Sequence, residues 1–195
     1  MEAQTLSGGF VDPAIQSAHA FRSVMEAMAR PGTIQDIDGA EPPIPLSKAA
    51  GAGLLTLCDT DTPVFLAGDA DCDAVRAWLA FHTGVPLMGP SHAMFAVGTW
   101  AALAPLSAYP IGTSEYPDRS TTLIVEQDAL TKGAQLTGPG IKESASLNLP
   151  ETEAFRANQA MFPLGLDFIF TCGDQLAALP RSTIVNAPVG ATEVA

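Results

Sequence analysis

The stretch Thr152-Glu-Ala-Phe-Arg-Ala-Asn-Gln-Ala-Met-Phe-Pro-Leu-Gly-Leu-Asp-Phe-Ile-Phe-Thr171 joins a predicted helix to a predicted strand. Its first half, residues 152–161, predicts the last main helix of the chain, and Pro163 ends that helix because proline cannot continue it. Its second half, residues 166–171, is rich in aromatic and β-branched side chains and predicts a strand. A helix followed by a strand is the unit that decides the fold class when it recurs.

The same alternation is predicted upstream of this stretch. Asp12-Pro13 predicts the start of a first helix, because a carboxylate caps the N-terminus and proline fits the first turn, and Arg30-Pro31-Gly32 ends it. Two further helices are predicted over residues 46–57 and around residues 75–82. Strands are predicted at residues 33–37, 64–67, 94–97 and 121–125, with a short edge strand at 182–185. This order predicts a three-layer α/β/α architecture with a mixed sheet.

Composition and charge limit the classes of protein. The 195 residues are 47% hydrophobic, which predicts one core and a single domain over residues 1–195. With 21 acidic against 9 basic side chains, the formal net charge is −12, which argues against nucleic acid as a partner. The N-terminal residues lack the features of a signal peptide, and no window reaches the roughly 18 apolar residues of a membrane span. We therefore expect no membrane partner and a cytoplasmic location.

The sequence contains no recognisable catalytic or metal-binding motif. The three cysteines, Cys58, Cys72 and Cys172, are widely spaced, and no histidine belongs to a zinc-ligand spacing. His19 and His82 fall in predicted helices, where a structural or surface role is expected, and His92 follows a Gly-Pro pair in a loop. No serine or cysteine lies in a nucleophile motif. We expect no metal and assign no catalytic residue.

Two groups of residues are candidates for binding a ligand or a partner. Leu136-Thr-Gly-Pro-Gly-Ile141 is either a tight turn at the end of a strand or a loop whose backbone N–H groups approach an anion, with Lys142 beside it. Arginines are few and suit paired contacts with carboxylate or phosphate, or ion pairs at an interface. The candidates are Arg22, Arg30, Arg119, Gly138, Gly140, Lys142 and Arg181.

Four phrases in fixed order give the chain a family resemblance. They span residues 18–32 (AHAFRSVMEAMARPG), 136–141 (LTGPGI), 157–167 (ANQAMFPLGLD) and 178–182 (ALPRS). Together they resemble the PhnH family, a subunit of the bacterial carbon-phosphorus lyase machinery that degrades organophosphonates. The resemblance covers the chain from Phe10 to about Thr183. Leu166 and Ser182 are small departures from the family phrases.

The resemblance implies a fold and a function that could not be predicted from the individual residues. It implies the architecture of pyridoxal-phosphate-dependent transferases without their cofactor, and an accessory subunit that has no activity alone. It implies partners of the PhnG, PhnI and PhnJ type, and a homodimer when isolated. With these partners, the assembly forms alpha-D-ribose 1-methylphosphonate 5-triphosphate from a nucleoside triphosphate and a phosphonate. No cofactor is expected, because no lysine lies in a recognisable Schiff-base motif and the cysteine spacing does not suit an iron-sulfur cluster.

Two alternatives remain at this stage. The chain could be an autonomous transferase that uses pyridoxal phosphate or a nucleotide, in which case the isolated protein would form an aldimine band or turn over nucleotide. It could also be a stand-alone module that binds a nucleotide or a phosphonate, in which case such a ligand would stabilise it without partners.

Overall fold

The structure, a computed structural model, describes residues 7–186 of the chain. Two helices begin at the caps that the sequence predicts. The Asp12 carboxylate accepts from the Ile15 N–H at 3.3 Å, and the Ser47 hydroxyl accepts from the Ala50 N–H at 3.1 Å. The α-helices are α1 (Pro13–Ala29), α2 (Lys48–Leu57), α3 (Asp73–His82), α4 (Trp100–Leu103) and α5 (Thr152–Gln159).

A six-stranded mixed sheet forms the centre of the fold. In chain order its strands are β1 (Ile34–Asp36), β2 (Val64–Leu66), β3 (Phe95–Thr99), β4 (Thr122–Glu126), β7 (Asp167–Cys172) and β8 (Gln175–Leu179). In space the order is β1-β8-β7-β4-β3-β2. The four strands β2, β3, β4 and β7 run parallel, whereas β8 pairs antiparallel with both β7 and β1.

A second sheet, of three strands, is separate from the central one in its hydrogen bonding and is called the small sheet below. Its strands are β5 (Ala134–Thr137), β6 (Ala145–Leu147) and β9 (Ile184–Val185). The order is β6-β5-β9, and both pairings are antiparallel. Residues 182–185 were expected to form an edge strand, and β9 is indeed at an edge, but in this small sheet.

Two hydrophobic cores lie on opposite faces of the central sheet. Alternate residues of one strand serve different cores: Ile124 of β4 belongs to the first core, and its neighbours Leu123 and Val125 belong to the second. The first core is covered by α1, α2 and α3, with Trp78 fully buried among them. The second is covered by α4, α5 and the small sheet, with Phe155 at its centre.

The mixed α/β architecture with a mixed sheet is therefore confirmed. The third layer differs in detail from the prediction, because the small sheet supplies part of it where helices alone were expected. In α1, Ala20, Val24 and Ala27 are buried, while Phe21 and Met25 are exposed. Across the described residues, no helix combines the length and apolar character needed to span a membrane.

Candidate functional site

Arg181 is bound to Asp167, the first residue of β7. The Asp167 carboxylate accepts from the backbone N–H of Arg181 at 2.8 Å and from its Nε at 3.2 Å, and it forms an ion pair with the Nη2 nitrogen. Only 12% of the Arg181 side chain and 17% of the Asp167 side chain are exposed. A charge-assisted pair of this kind fixes both side chains in one geometry. The predicted candidate Arg181 therefore holds the end of β8 against the start of β7.

The same guanidinium group also organises two loops. Arg181 Nη1 donates to the Pro117 carbonyl at 2.7 Å and, at 3.5 Å, to the Pro163 carbonyl, and Nη2 donates to the Ser120 hydroxyl. The loop around residue 117 is closed at its base by a bridge between Ile111 and Ser120. The Arg181 guanidinium thus directs its donors at acceptors within the fold.

The glycine turn after β5 packs between two other family phrases. Gly138 and Gly140 have φ angles of +126° and +80°, which favour glycine, and the Ile141 N–H donates to the Gly138 carbonyl at 3.1 Å. A Cβ on Gly140 would lie 2.0 Å from the Ala29 carbonyl oxygen at the end of α1. A Cβ on Gly138 would lie 3.2 Å from the Ser182 carbonyl oxygen. This geometry favours the interpretation as a tight turn.

The remaining predicted cations lie on the surface. Arg30 forms an ion pair with Glu26 at 2.7 Å, and the Arg119 guanidinium lies 4.0 Å from the centre of the Tyr116 ring. Arg22 and Lys142 are exposed, and within residues 7–186 neither takes part in an ion pair. The structure thus brings the Arg30 end of α1 next to the glycine turn.

Glu126 is a half-buried carboxylate that the sequence reasoning missed. It ends β4, at the edge of the parallel strands where α/β proteins commonly bind ligands. Its oxygens accept from the Ser47 N–H at 2.8 Å and from the Thr171 hydroxyl at 3.0 Å. Burial raises the pKa of Glu126, and the hydrogen bonds from Ser47 and Thr171 oppose that rise. The group ties α2 to the sheet, and a polar residue at the end of an apolar strand was the available signal.

A groove of about 820 Å³, lined by both polar and apolar residues, lies beside the small sheet. Its lining includes Lys132, Gln135, Ser144, Ser146, Asn148 and Thr152. Among the described residues that line it, none carries a carboxylate and none is aromatic. Sequence reasoning missed this groove, because β5 and β6 are short and the polar residues along them resemble an ordinary loop. We call it the small-sheet groove.

The cysteines and histidines show no shared site in the part of the chain that the structure describes. Burial, with a smaller contribution from Asp59, raises the pKa of the Cys58 thiol to about 12, which suppresses the reactive thiolate. His82 contacts the Ser7 carbonyl at 3.3 Å, and His92 contacts the Ser91 hydroxyl at 3.0 Å. No group of three or more His, Cys, Asp or Glu side chains suitable for a metal occurs among residues 7–186.

Comparison with known proteins gives consistent matches. Residues 8–186 match the family model described as bacterial phosphonate metabolism protein (PhnH). A protein of Rhizobium meliloti (strain 1021), named alpha-D-ribose 1-methylphosphonate 5-triphosphate synthase subunit PhnH, is 42% identical over 194 residues, covering 93% of this chain and 96% of that protein. A protein of Stutzerimonas stutzeri, named putative C-P lyase subunit protein HtxG, is 29% identical over 175 residues, covering 86% of this chain and 84% of that protein.

Proposed function

Because the chain belongs to the PhnH family of bacterial phosphonate metabolism proteins, we propose that it is a subunit of the carbon-phosphorus lyase assembly. In that assembly it supports synthesis of alpha-D-ribose 1-methylphosphonate 5-triphosphate, the product named for its Rhizobium meliloti relative. The observation that carries the proposal is the family match, which extends over nearly all of the described residues. The nearly full-length relation to a protein named as a subunit adds to it.

The contacts of the family phrases support a structural role for them. Three phrases meet where the glycine turn packs between the end of α1 and Ser182, and the phrase that ends at Asp167 is joined to the last phrase through Arg181. These contacts hold the four family phrases together within the chain. The chemistry of the proposed assembly is accordingly assigned to partner chains of the PhnG, PhnI and PhnJ type, with this chain as an accessory subunit.

The outer face of α1 is the surface that we assign to a partner subunit. Phe21 and Met25, four residues apart, are exposed within the first family phrase, and Ile15 is a further exposed apolar residue of the same helix. Exposed aromatic and methionine side chains are enriched where proteins contact one another. Arg22 lies among them and offers a cation for pairing across the interface.

Co-expression tests the proposed function. The chain is produced together with PhnG, PhnI and PhnJ homologues from the same source, and the complex is followed by size-exclusion chromatography with mass analysis. We expect stable co-elution, and phosphonate-dependent turnover of nucleoside triphosphate only when all partners are present. Elution of the chain alone, or turnover by the isolated chain, would favour the autonomous transferase.

A matched pair of variants tests the assigned surface. Phe21→Asp places a carboxylate on α1, where the native ring is 48% exposed, and Phe81→Asp does the same on α3, where the ring is 56% exposed. Both substitutions replace a phenyl ring by a carboxylate at a position of similar exposure. We expect Phe21→Asp to abolish co-elution and Phe81→Asp to preserve it. Equal behaviour of the two variants would show that α1 is not the contact surface.

The proposal extends to the oligomeric state, the domain organisation, the location and the detailed architecture of the chain. We propose that the isolated chain forms a homodimer, that it is one domain located in the cytoplasm, and that its sheet corresponds to the pyridoxal-phosphate-dependent transferase architecture without the cofactor. The protein's own groups at the carboxyl ends of the parallel strands support the last point, since Glu126 is engaged there by Ser47 and Thr171. Addition of pyridoxal phosphate is expected to produce no aldimine absorbance, and light scattering of the isolated chain is expected to give twice the monomer mass.

A further inference from the structure

The small-sheet groove differs in charge from the chain as a whole. The chain has 21 acidic and 9 basic residues, yet the described lining of the groove contains Lys132 and no carboxylate. Three carboxylates, those of Glu143, Glu151 and Glu153, are next to lining residues in the sequence. That of Glu151 accepts from the Trp100 indole N–H at 3.3 Å, and that of Glu153 pairs with Arg156 at 2.9 Å. An anion that the general surface field repels therefore meets a local cation and neutral walls here.

Hydrogen bonds within the protein hold the walls of this groove in place. The Asn148 side chain accepts from the Thr131 N–H at 2.7 Å and donates to the Ala129 carbonyl at 2.9 Å. The Ser146 hydroxyl accepts from the Gly133 N–H at 2.9 Å and donates to the Gly133 carbonyl at 3.1 Å. Walls fixed in this way lose little conformational freedom when a ligand binds.

Other polar side chains of the lining keep their hydrogen-bonding capacity. Within residues 7–186, the side chains of Gln135, Ser144 and Thr152 make no hydrogen bond, and the Lys132 ammonium has no ion-pair partner. An amide and two hydroxyls can both donate and accept, which suits the hydroxyl groups of a sugar. An ammonium suits a phosphate group as a compact point charge. Leu149 adds an apolar surface for the C–H face of a sugar ring.

We propose that the small-sheet groove binds a phosphorylated pentose through its phosphate and hydroxyl groups. The described lining contains no aromatic ring on which a nucleobase could stack, so the proposal assigns binding to the sugar and the phosphate. The choice of a pentose among phosphorylated sugars rests on the proposed function. The groove would thus hold the sugar-phosphate part of the substrate or product of the assembly and leave the base free to depart.

Ribose 5-phosphate is the probe that tests this site on the isolated full-length chain. Saturation-transfer NMR and calorimetry should detect its binding, whereas adenosine, which has ribose and a base but no phosphate, should bind about tenfold more weakly or not at all. Lys132→Gln should weaken ribose 5-phosphate binding by about tenfold or more. Lys48→Gln, which removes an exposed cation paired with Glu41 outside the described lining, should leave it unchanged.

Three results would overturn the inference: no binding of ribose 5-phosphate, adenosine binding as tightly as ribose 5-phosphate, or equal losses in the two lysine variants. The outcome is separable from that of the proposed function, because co-elution with partner subunits is measured independently. A chain that co-elutes but does not bind the probe keeps the function and loses the site. A chain that binds the probe but never co-elutes keeps the site and loses the function.

Discussion

At the scale of single residues, Arg181 joins β7, β8 and two loops through its ion pair with Asp167 and its hydrogen bonds, and the sequence did not predict these contacts. Replacing it with methionine leaves the Asp167 carboxylate without its cation and removes the donors to Pro117 and Ser120. We expect the free energy of unfolding to fall by about 3 kcal/mol. Urea unfolding measures this change. The control is Arg156→Met, which removes an exposed pair with Glu153 and should cost less than about 1 kcal/mol. Similar losses in both variants would contradict the structural role.

Glu126 predicts a pH dependence of stability. Burial raises its pKa above the ordinary value of 4.5, so the folded protein holds this proton more tightly than the unfolded chain does. The carboxyl group therefore favours folding more at acidic pH, and that contribution is lost as pH rises through the raised pKa. Glu126→Gln stays neutral, and its amide can still accept from Ser47 and donate to Thr171.

The measurement is the free energy of unfolding of both proteins between about pH 8 and about pH 5. Other titrating groups contribute equally to the two proteins and cancel in the difference. We expect the value for the native chain minus that for Glu126→Gln to increase as pH falls. A difference that stays constant, or that decreases on acidification, would show that burial does not raise the pKa of this group.

At the scale of elements, two glycines in the same protein predict opposite effects of substitution. Gly140→Ala forces a side chain into a left-handed conformation and against the Ala29 carbonyl, which should lower the free energy of unfolding by about 2 kcal/mol or more. Gly53→Ala lies within α2, where a Cβ meets nothing within 4 Å, and should raise it by about 0.5–1 kcal/mol. Thermal or urea unfolding of the two variants checks both signs. If the free energy of unfolding changes in the same direction in both variants, the packing described for the glycine turn is contradicted.

Elements that depend on local chemistry were predictable, and those that depend on distant pairing were not. The start of α1 at Asp12 and the turn at Gly138 follow from caps and backbone freedom within a few residues. The small sheet depends on pairing β5 with β9, far along the chain, and its short strands carry no strong apolar pattern. The sequence indicated Arg181 as a candidate, but its partner Asp167 is set by the tertiary fold.

At the scale of the whole molecule, the two cores share the strands of one sheet and so should unfold together. The two tryptophans report on them separately, because Trp78 lies in the first core and Trp100 packs against the second. In Trp78→Phe only Trp100 fluoresces, and in Trp100→Phe only Trp78 does. Within each variant, we expect fluorescence and far-UV circular dichroism to give the same urea midpoint. A core that unfolds at a different midpoint would contradict the single-domain proposal.

The two edges of the central sheet are three-residue strands, β1 and β2. On the outer side of β2, a bridge from Val64 to Leu87 uses part of the available backbone. Such short borders present few unpaired amides, so they are poor templates for the strand addition that leads sheets to polymerise into fibres. A subunit that has not yet assembled is thereby protected from self-templated aggregation. Stable contacts with other chains are then expected through the side chains of its helices and loops and not through its strand edges.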